Sequence, residues 1–441
     1  MLLRYLVLIS FFFSQIEAES TDKEVRHVHL SECVALALEA HPLTQRAWWK
    51  AKKAASSLGI VKSQFYPQLS LEADLKHGRD FKFLNGPDTT YTLAGASLAF
   101  SFLVCDFGAL QAETRAAELT LEAAHWEADW KMQQVIFEVL ENGYAILEAQ
   151  EAVSAAQASV EDAWHIVESA SALHEAGLRP ISDLYTGRAL LAEMQMRLIQ
   201  QKKLLACAYG KLSSNLGFSL EERGYQLTPI EAIPSFQDSR MQGLLALAAS
   251  KRADWMAQRT RQEEARWAQK QTEASNRPKV SIFGNGGAHH ALHDKAHGAQ
   301  YAVGVGLQWS LFAGFEPYYR KRQALEQLHL TEAETVQLER EIEFEIFTGL
   351  RSLEASQEMF QEAKTLVSCS LQAFEANREK YQAGVERMSE LSSAQKRLAE
   401  ARLTLSHVKT EWLTAAARLA YATGVLSFPY IEDACKKPRS F

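Results

Sequence analysis

The sequence predicts a mainly α-helical chain carrying four β-strands, which close into a barrel only when several copies assemble. Three observations predict it. From Gly108 to Ala176 and from Tyr318 to Ala383 no proline interrupts, and both stretches are rich in Ala, Glu, Gln and Leu. At 1.5 Å per residue each makes a helix of roughly 100 Å. Four shorter segments instead alternate apolar and polar residues with the period of a strand. Beyond the amino-terminal segment no run of about 18 apolar residues appears, so membrane insertion, if it occurs, falls to the strands.

Taken in order, residues 1–18 read as a secretory signal, with Arg4 as the positive region, Tyr5 to Phe13 as a short apolar core and Ala18 before the cleavage point. An uncleaved anchor is the alternative, but the apolar run is short for a bilayer. Two repeats follow, 19–230 and 231–425, and then a tail, 426–441. Pro67 and Pro278 each precede a hairpin, expected at about 68–104 and 279–312, with loops at His77 to Thr90 and Gly287 to Ala299. In the first, Leu69, Leu71, Ala73 and Leu75 alternate with Ser70, Glu72 and Asp74, and Ala94, Ala96, Leu98, Phe100 and Phe102 form the partner's apolar face. In the second, Tyr301, Val303, Val305, Leu307, Trp309 and Leu311 alternate with Ala302, Gly304, Gly306, Gln308 and Ser310, against a weaker strand from Val280 to Gly286.

The long helices are expected at about 107–175, capped by Asp106, and 317–382, with Pro317 in the first turn. Each ends at an Ala-Gly pair, Ala176-Gly177 and Ala383-Gly384, and the two glycines stand 207 residues apart. Return helices follow at about 182–215 and 389–423. In the second, Leu391, Ala394, Leu398, Ala401, Leu405, Val408, Trp412, Ala415 and Leu419 keep heptad spacing, and Leu184, Gly187, Leu191, Met194 and Leu198 repeat it in the first. That pattern fits a coiled-coil seam or the core of a bundle, and periodicity leaves both open.

Four strands cannot close a barrel, for which about eight are needed, and lipid does not admit an open sheet edge. A trimer supplies 12 strands and a water-filled lumen, whereas a dimer supplies eight. The long helices of the same assembly would then stand side by side as a hollow cylinder.

Composition removes other classes. The net charge of −7 argues against nucleic acid as a partner. Five cysteines, Cys33, Cys105, Cys207, Cys369 and Cys435, stand singly, and they are expected as buried apolar residues rather than as a disulfide framework or a zinc set. No nucleotide-binding loop, serine elbow or paired-histidine motif occurs: Gly284-Asn285-Gly286-Gly287 follows a strand but lacks the phosphate-binding spacing. No enzyme and no cofactor are expected, and the tryptophans at 48, 49, 126, 130 and 164 read as packing or interfacial anchors.

The order of elements, with SECVALALEAHPLTQRA (31–47), SQFYPQLSLEA (63–73), FSFLVCDFGALQAETRAAE (100–118) and both Ala-Gly turns, resembles the TolC-type outer-membrane efflux proteins along essentially the whole mature chain. The resemblance implies a homotrimer in outer-membrane lipid, with a 12-stranded barrel continued by an α-barrel through the periplasm, working with a periplasmic adaptor and an inner-membrane pump or exporter. It further implies that Gly177, Leu178, Gly384 and Val385 form the periplasmic tip that docks the adaptor. The gate would draw on Asp183, Glu386, Glu390 and the position of Ser393, where some members carry an acidic cation-binding ring that serine cannot supply. Pro180 and Arg387 are local variations between the two turns.

The segment AHHALHDKAHG (288–298) is compositionally the most unusual. On a helix His289, His293 and His297 would align as zinc, copper or nickel ligands, with His290 beside them. The flanking glycines instead favour a polar loop. A second functional class also remains, an envelope stalk without a lumen. The small and polar set from Ala302 to Ser310 separates the two, because a solid tip needs apolar residues on both faces.

Overall fold

The computed structural model describes residues 26–80, 89–217, 225–228, 241–291 and 297–426, so the expected signal segment, the tail beyond Leu426, Cys435 and His293 lie outside the described residues. A short strand β1 (Arg26–Val28) leads into α1 (Leu30–Ala40) and α2 (Pro42–Ser63). The hairpin β2 (Gln68–Asp80) and β3 (Thr89–Cys105) follows, then α3 (Ala109–Glu175) and α4 (Ile181–Leu216). After β4 (Tyr225–Leu227) the order recurs: α5 (Met241–Lys251), α6 (Ala253–Ala274), β5 (Lys279–Ala291), β6 (His297–Gln308), α7 (Glu316–Gln382) and α8 (Met388–Ala422).

The long helices α3 and α7 each contain 67 residues, about 100 Å at the standard rise. Asp106 starts the first, its carboxylate accepting from the amides of Gly108 (3.2 Å) and Leu110 (2.5 Å). Among the described residues no helix is long and apolar enough to cross a membrane.

The four main strands form one antiparallel sheet in the order β2-β3-β5-β6. Its register puts Leu69 opposite Phe100, Leu71 opposite Leu98, Phe102 opposite Ile282 and Ile282 opposite Val305, so the apolar sets of all four strands share one face. The other face carries Ser70, Glu72, Asp74, Ser97, Ser101, Asn285, Ala302 and Gly304, together with Phe283, whose ring lies over Gly304 and Gly306.

Several expectations need correction. Both hairpin loops are shorter than expected, since pairing continues to Asp80 and resumes at Thr89, and continues to Ala291 and resumes at His297. Extended backbone pairs whatever the polarity of its side chains, so loop-like composition misplaced these ends. The strand expected to reach Leu311 stops at Gln308, and the Trp309 indole donates to the Asn276 carbonyl at 3.1 Å. The parallel pair β1 with β4 had no sequence signal, because three residues carry no period. Of the four described cysteines only Cys33 is buried. Cys207 and Cys369 lie on helix faces that no element of the same chain covers.

Helix α3 is central, packing along α2, α4, α6 and α8, while α7 packs along α6 and α8. The heptad seam is interior: Leu391, Ala394, Leu398, Ala401, Val408, Ala415 and Leu419 are buried, as are Leu184, Gly187 and Met194. At Gly187 a Cβ would meet Met388 Cε at 2.8 Å, which shows how closely the return helices approach. Midway along the helices the buried Arg252 joins four elements. Its guanidinium binds Asp254 and Glu345 (both ion pairs under 3 Å), donates to the Ala422 carbonyl at 3.0 Å, and lies 4.9 Å from the Trp130 ring. Tyr421 stacks on the same indole at 4.6 Å.

Candidate functional site

At the end of the helices farthest from the sheet, both turns close in the same way. Gly177 N–H bonds to the His174 carbonyl and Leu178 N–H to the Leu173 carbonyl, each at 2.9 Å. Gly384 and Val385 bond likewise to the Tyr381 and Lys380 carbonyls at 3.0 Å. These are Schellman caps, which need a left-handed residue, and the φ values are 73° at Gly177 and 83° at Gly384. The residue after each glycine is apolar and normally packs back on its own helix. Here Leu178 is 71% and Val385 79% exposed, so both tips present an apolar side chain outward.

The two turns then lock to each other. Arg179 reaches from the first turn into the second, donating from Nη2 to the Glu386 carbonyl at 2.6 Å and to the Tyr381 carbonyl at 3.3 Å. Its guanidinium lies 4.7 Å from the Tyr381 ring centroid. The Tyr381 hydroxyl donates back to Asp183 Oδ2 at 3.3 Å. Tyr381 is 0% exposed and packs in one cluster with Ile166, Met194, Phe374, Met388, Leu391 and Leu398. Burial, reinforced by the neighbouring Asp183 charge, pushes its phenol up to about 12.

The repeat is therefore asymmetric in use. Arg179 and Glu386 are equivalent positions, 207 apart, yet one supplies the side chain and the other the backbone acceptor. His174, the counterpart of Tyr381, stays within its own turn, its Nδ1 3.0 Å from the Arg179 carbonyl.

The expected site residues fall into two groups. Asp183 joins the latch, and Glu386 joins it through its carbonyl while its carboxylate accepts from the Arg387 amide at 3.1 Å. Glu390 and Ser393 are exposed, and among the described residues Glu390 makes no side-chain hydrogen bond or ion pair. Arg179 and Tyr381 were missed by sequence reading. Their only signal was an Arg and a Tyr flanking the two Ala-Gly turns.

His289, His290 and His297 lie in strands rather than on a helix, and His293 lies outside the described residues. His289 and His290 are consecutive in β5 and therefore face opposite sides of the sheet, and His297 in β6 is the register partner of His290.

The model of the outer membrane efflux protein family matches residues 33–217 and 244–425. Protein CyaE of Bordetella pertussis is 26% identical over 188 residues, which is 43% of this chain and 39% of that protein, so the match spans well under half of that relative. Among solved structures, the outer-membrane channel OprN gives a TM-score of 0.80 at 18% identity over 90% of this chain and 89% of its own. The Campylobacter jejuni CmeC outer membrane channel gives 0.79 at 16% over 95% and 94%. VceC from Vibrio cholerae gives 0.77 at 20% over 90% and 96%. At such identities the likeness establishes the shared fold. With the family model spanning both halves of the chain, the protein belongs to the outer membrane efflux protein family.

Proposed function

We propose that three copies of this chain form a passive exit duct through the outer membrane and into the periplasm, serving efflux of small molecules or secretion of exported protein. The observation that carries this reading is the sheet. Among the described residues β2 and β6 have no partner on their outer edges, and the sheet has one apolar face and one small, polar face. Unpaired edges are not tolerated in lipid, so β6 of one copy would pair with β2 of the next until 12 strands close, the apolar face toward lipid and the polar face toward water.

At the far end, the exposed Leu178 and Val385 suit docking of a periplasmic adaptor, while the Arg179, Tyr381 and Asp183 latch would hold the tip closed. Energy would come from an inner-membrane pump or exporter. Reconstitution of the purified protein into planar bilayers tests the reading. Conducting trimers are expected, and a stable trimer that never conducts would favour a lumen-free stalk.

A further inference from the structure

Toward the tip the helices stand in the order α4, α3, α8, α7, so α3 and α8 meet inside the chain while α4 and α7 form its two edges. The repeat relates these edges to the inner seam. Helix α7 begins and ends 207 residues after α3, and α8 begins 207 residues after α4. A joint in which α7 of one copy packs on α4 of the next would therefore reproduce the seam of α3 and α8, position by position.

In the inner seam four acidic side chains of α3 meet basic partners on α8: Glu141 with Arg418, Glu148 with His407, Glu151 with Lys409 and Asp162 with Arg402. Moved by the repeat interval, three of these lose their complementarity, becoming Thr348 with Lys211, Ala355 with Gln200, and Cys369 with Gln195. The fourth keeps both charges. Glu151 and Lys409 become Glu358 on α7 and Lys202 on α4. Both are exposed, and among the described residues neither makes an ion pair or a side-chain hydrogen bond. Beside them, the counterparts of two buried serines are apolar and uncovered. Ser406, which donates to Glu151 at 3.2 Å, corresponds to Ile199, and Ser159, whose carbonyl accepts from Gln395, corresponds to Leu366. Ile199 is 68% and Leu366 48% exposed, against 4% and 2% for the serines.

We propose that α7 of one copy packs on α4 of the next in the register of the inner seam, with Glu358 paired to Lys202 of the neighbouring copy. Ile199 and Leu366 supply apolar contact where the inner seam has serine, and the one complementary pair selects the register, as flanking charges do in coiled coils. A second copy is the occupant because one chain carries both halves of the joint on opposite edges, so each copy uses both and a ring closes. The contact rests on the reading of three copies in a ring and gives that ring its register. It also makes the seams unequal. Within a copy four charged contacts resist sliding and between copies one does, so the joint between copies is the one that a single charge reversal should open.

Zero-length carbodiimide coupling of the purified full-length trimer, read by mass spectrometry of the linked peptides, tests the register. An amide between Lys202 and Glu358 is expected, in species that run as two and three copies on a denaturing gel. Lys202→Glu and Glu358→Lys, both at exposed positions, should keep wild-type helix content. Each should raise the concentration of half-dissociation in detergent by about tenfold or more, and the double variant should return it to within about threefold of wild type. Because one chain holds the two positions on opposite edges, that rescue must pass between copies. Coupling of Lys202 to Glu354 or Glu362 instead, one helical turn away, or a double variant as weak as the single ones, overturns the proposal. Conducting trimers in which Lys202 and Glu358 do not couple refute the register alone. Trimers linked through that pair that never conduct support it and refute the duct, and a chain that stays monomeric refutes both.

Discussion

Removing one hydroxyl, by Tyr381→Phe, tests the latch with the least disturbance. The ring is fully buried and keeps its packing and its place beside the Arg179 guanidinium, so only the bond to Asp183 is lost. A hydrogen bond to a charged acceptor contributes about 1.5–3 kcal/mol. The bond is long at 3.3 Å and the half-buried Asp183 regains water, which reduces the loss to about 1 kcal/mol. One kcal/mol shifts an open-to-closed ratio about fivefold, and three tips opening together would multiply that to roughly 150-fold. Adding Arg179→Ala removes two charge-assisted bonds and contributes about 2 kcal/mol more per chain. The assay is open probability in planar bilayers. Both variants should rise over wild type, the double variant most, while Glu390→Ala should change less because its side chain holds nothing across the two turns. If the single and double variants form intact trimers whose open probability equals wild type, the latch reasoning is wrong.

Further outcomes follow from the same geometry. Because the Tyr381 phenol is held neutral, its contribution is complete below about pH 10 and is lost as pH rises from there toward about 12, so wild type should open progressively over that range and Tyr381→Phe should not respond. Leu178→Asp with Val385→Asp should leave stability within about 0.5 kcal/mol, since both side chains are exposed, yet abolish site-specific crosslinking to the adaptor. Arg252→Met strands Asp254 and Glu345 and should cost about 3 kcal/mol, read as a lower urea midpoint by tryptophan fluorescence. An unchanged midpoint would mean that the buried charge cluster adds nothing net.

The sequence by itself determined the repeated plan. Heptad spacing from Leu391 to Leu419, alternation from Tyr301 to Leu307 and glycine after alanine at 177 and 384 are local signals, because helix face, strand face and left-handed cap are each set within a few residues. Asp106 was legible for the same reason, as a short polar side chain just ahead of a long helix. Strand ends were less so, since pairing depends on the neighbouring strand rather than on composition.

What joins one repeat to the other was decided only by the tertiary structure. Arg179 donates to backbone carbonyls, which every residue offers and no sequence marks, and Tyr381 at the end of α7 meets Asp183 in the first turn of α4 across 198 residues of chain. Gly95 and His289 likewise meet because β3 pairs with β5 in one register, and a slip of one residue would turn His289 to the other face. Local periodicity gives each element its face, but which residues meet across elements follows from the relative rotation and translation of packed bodies.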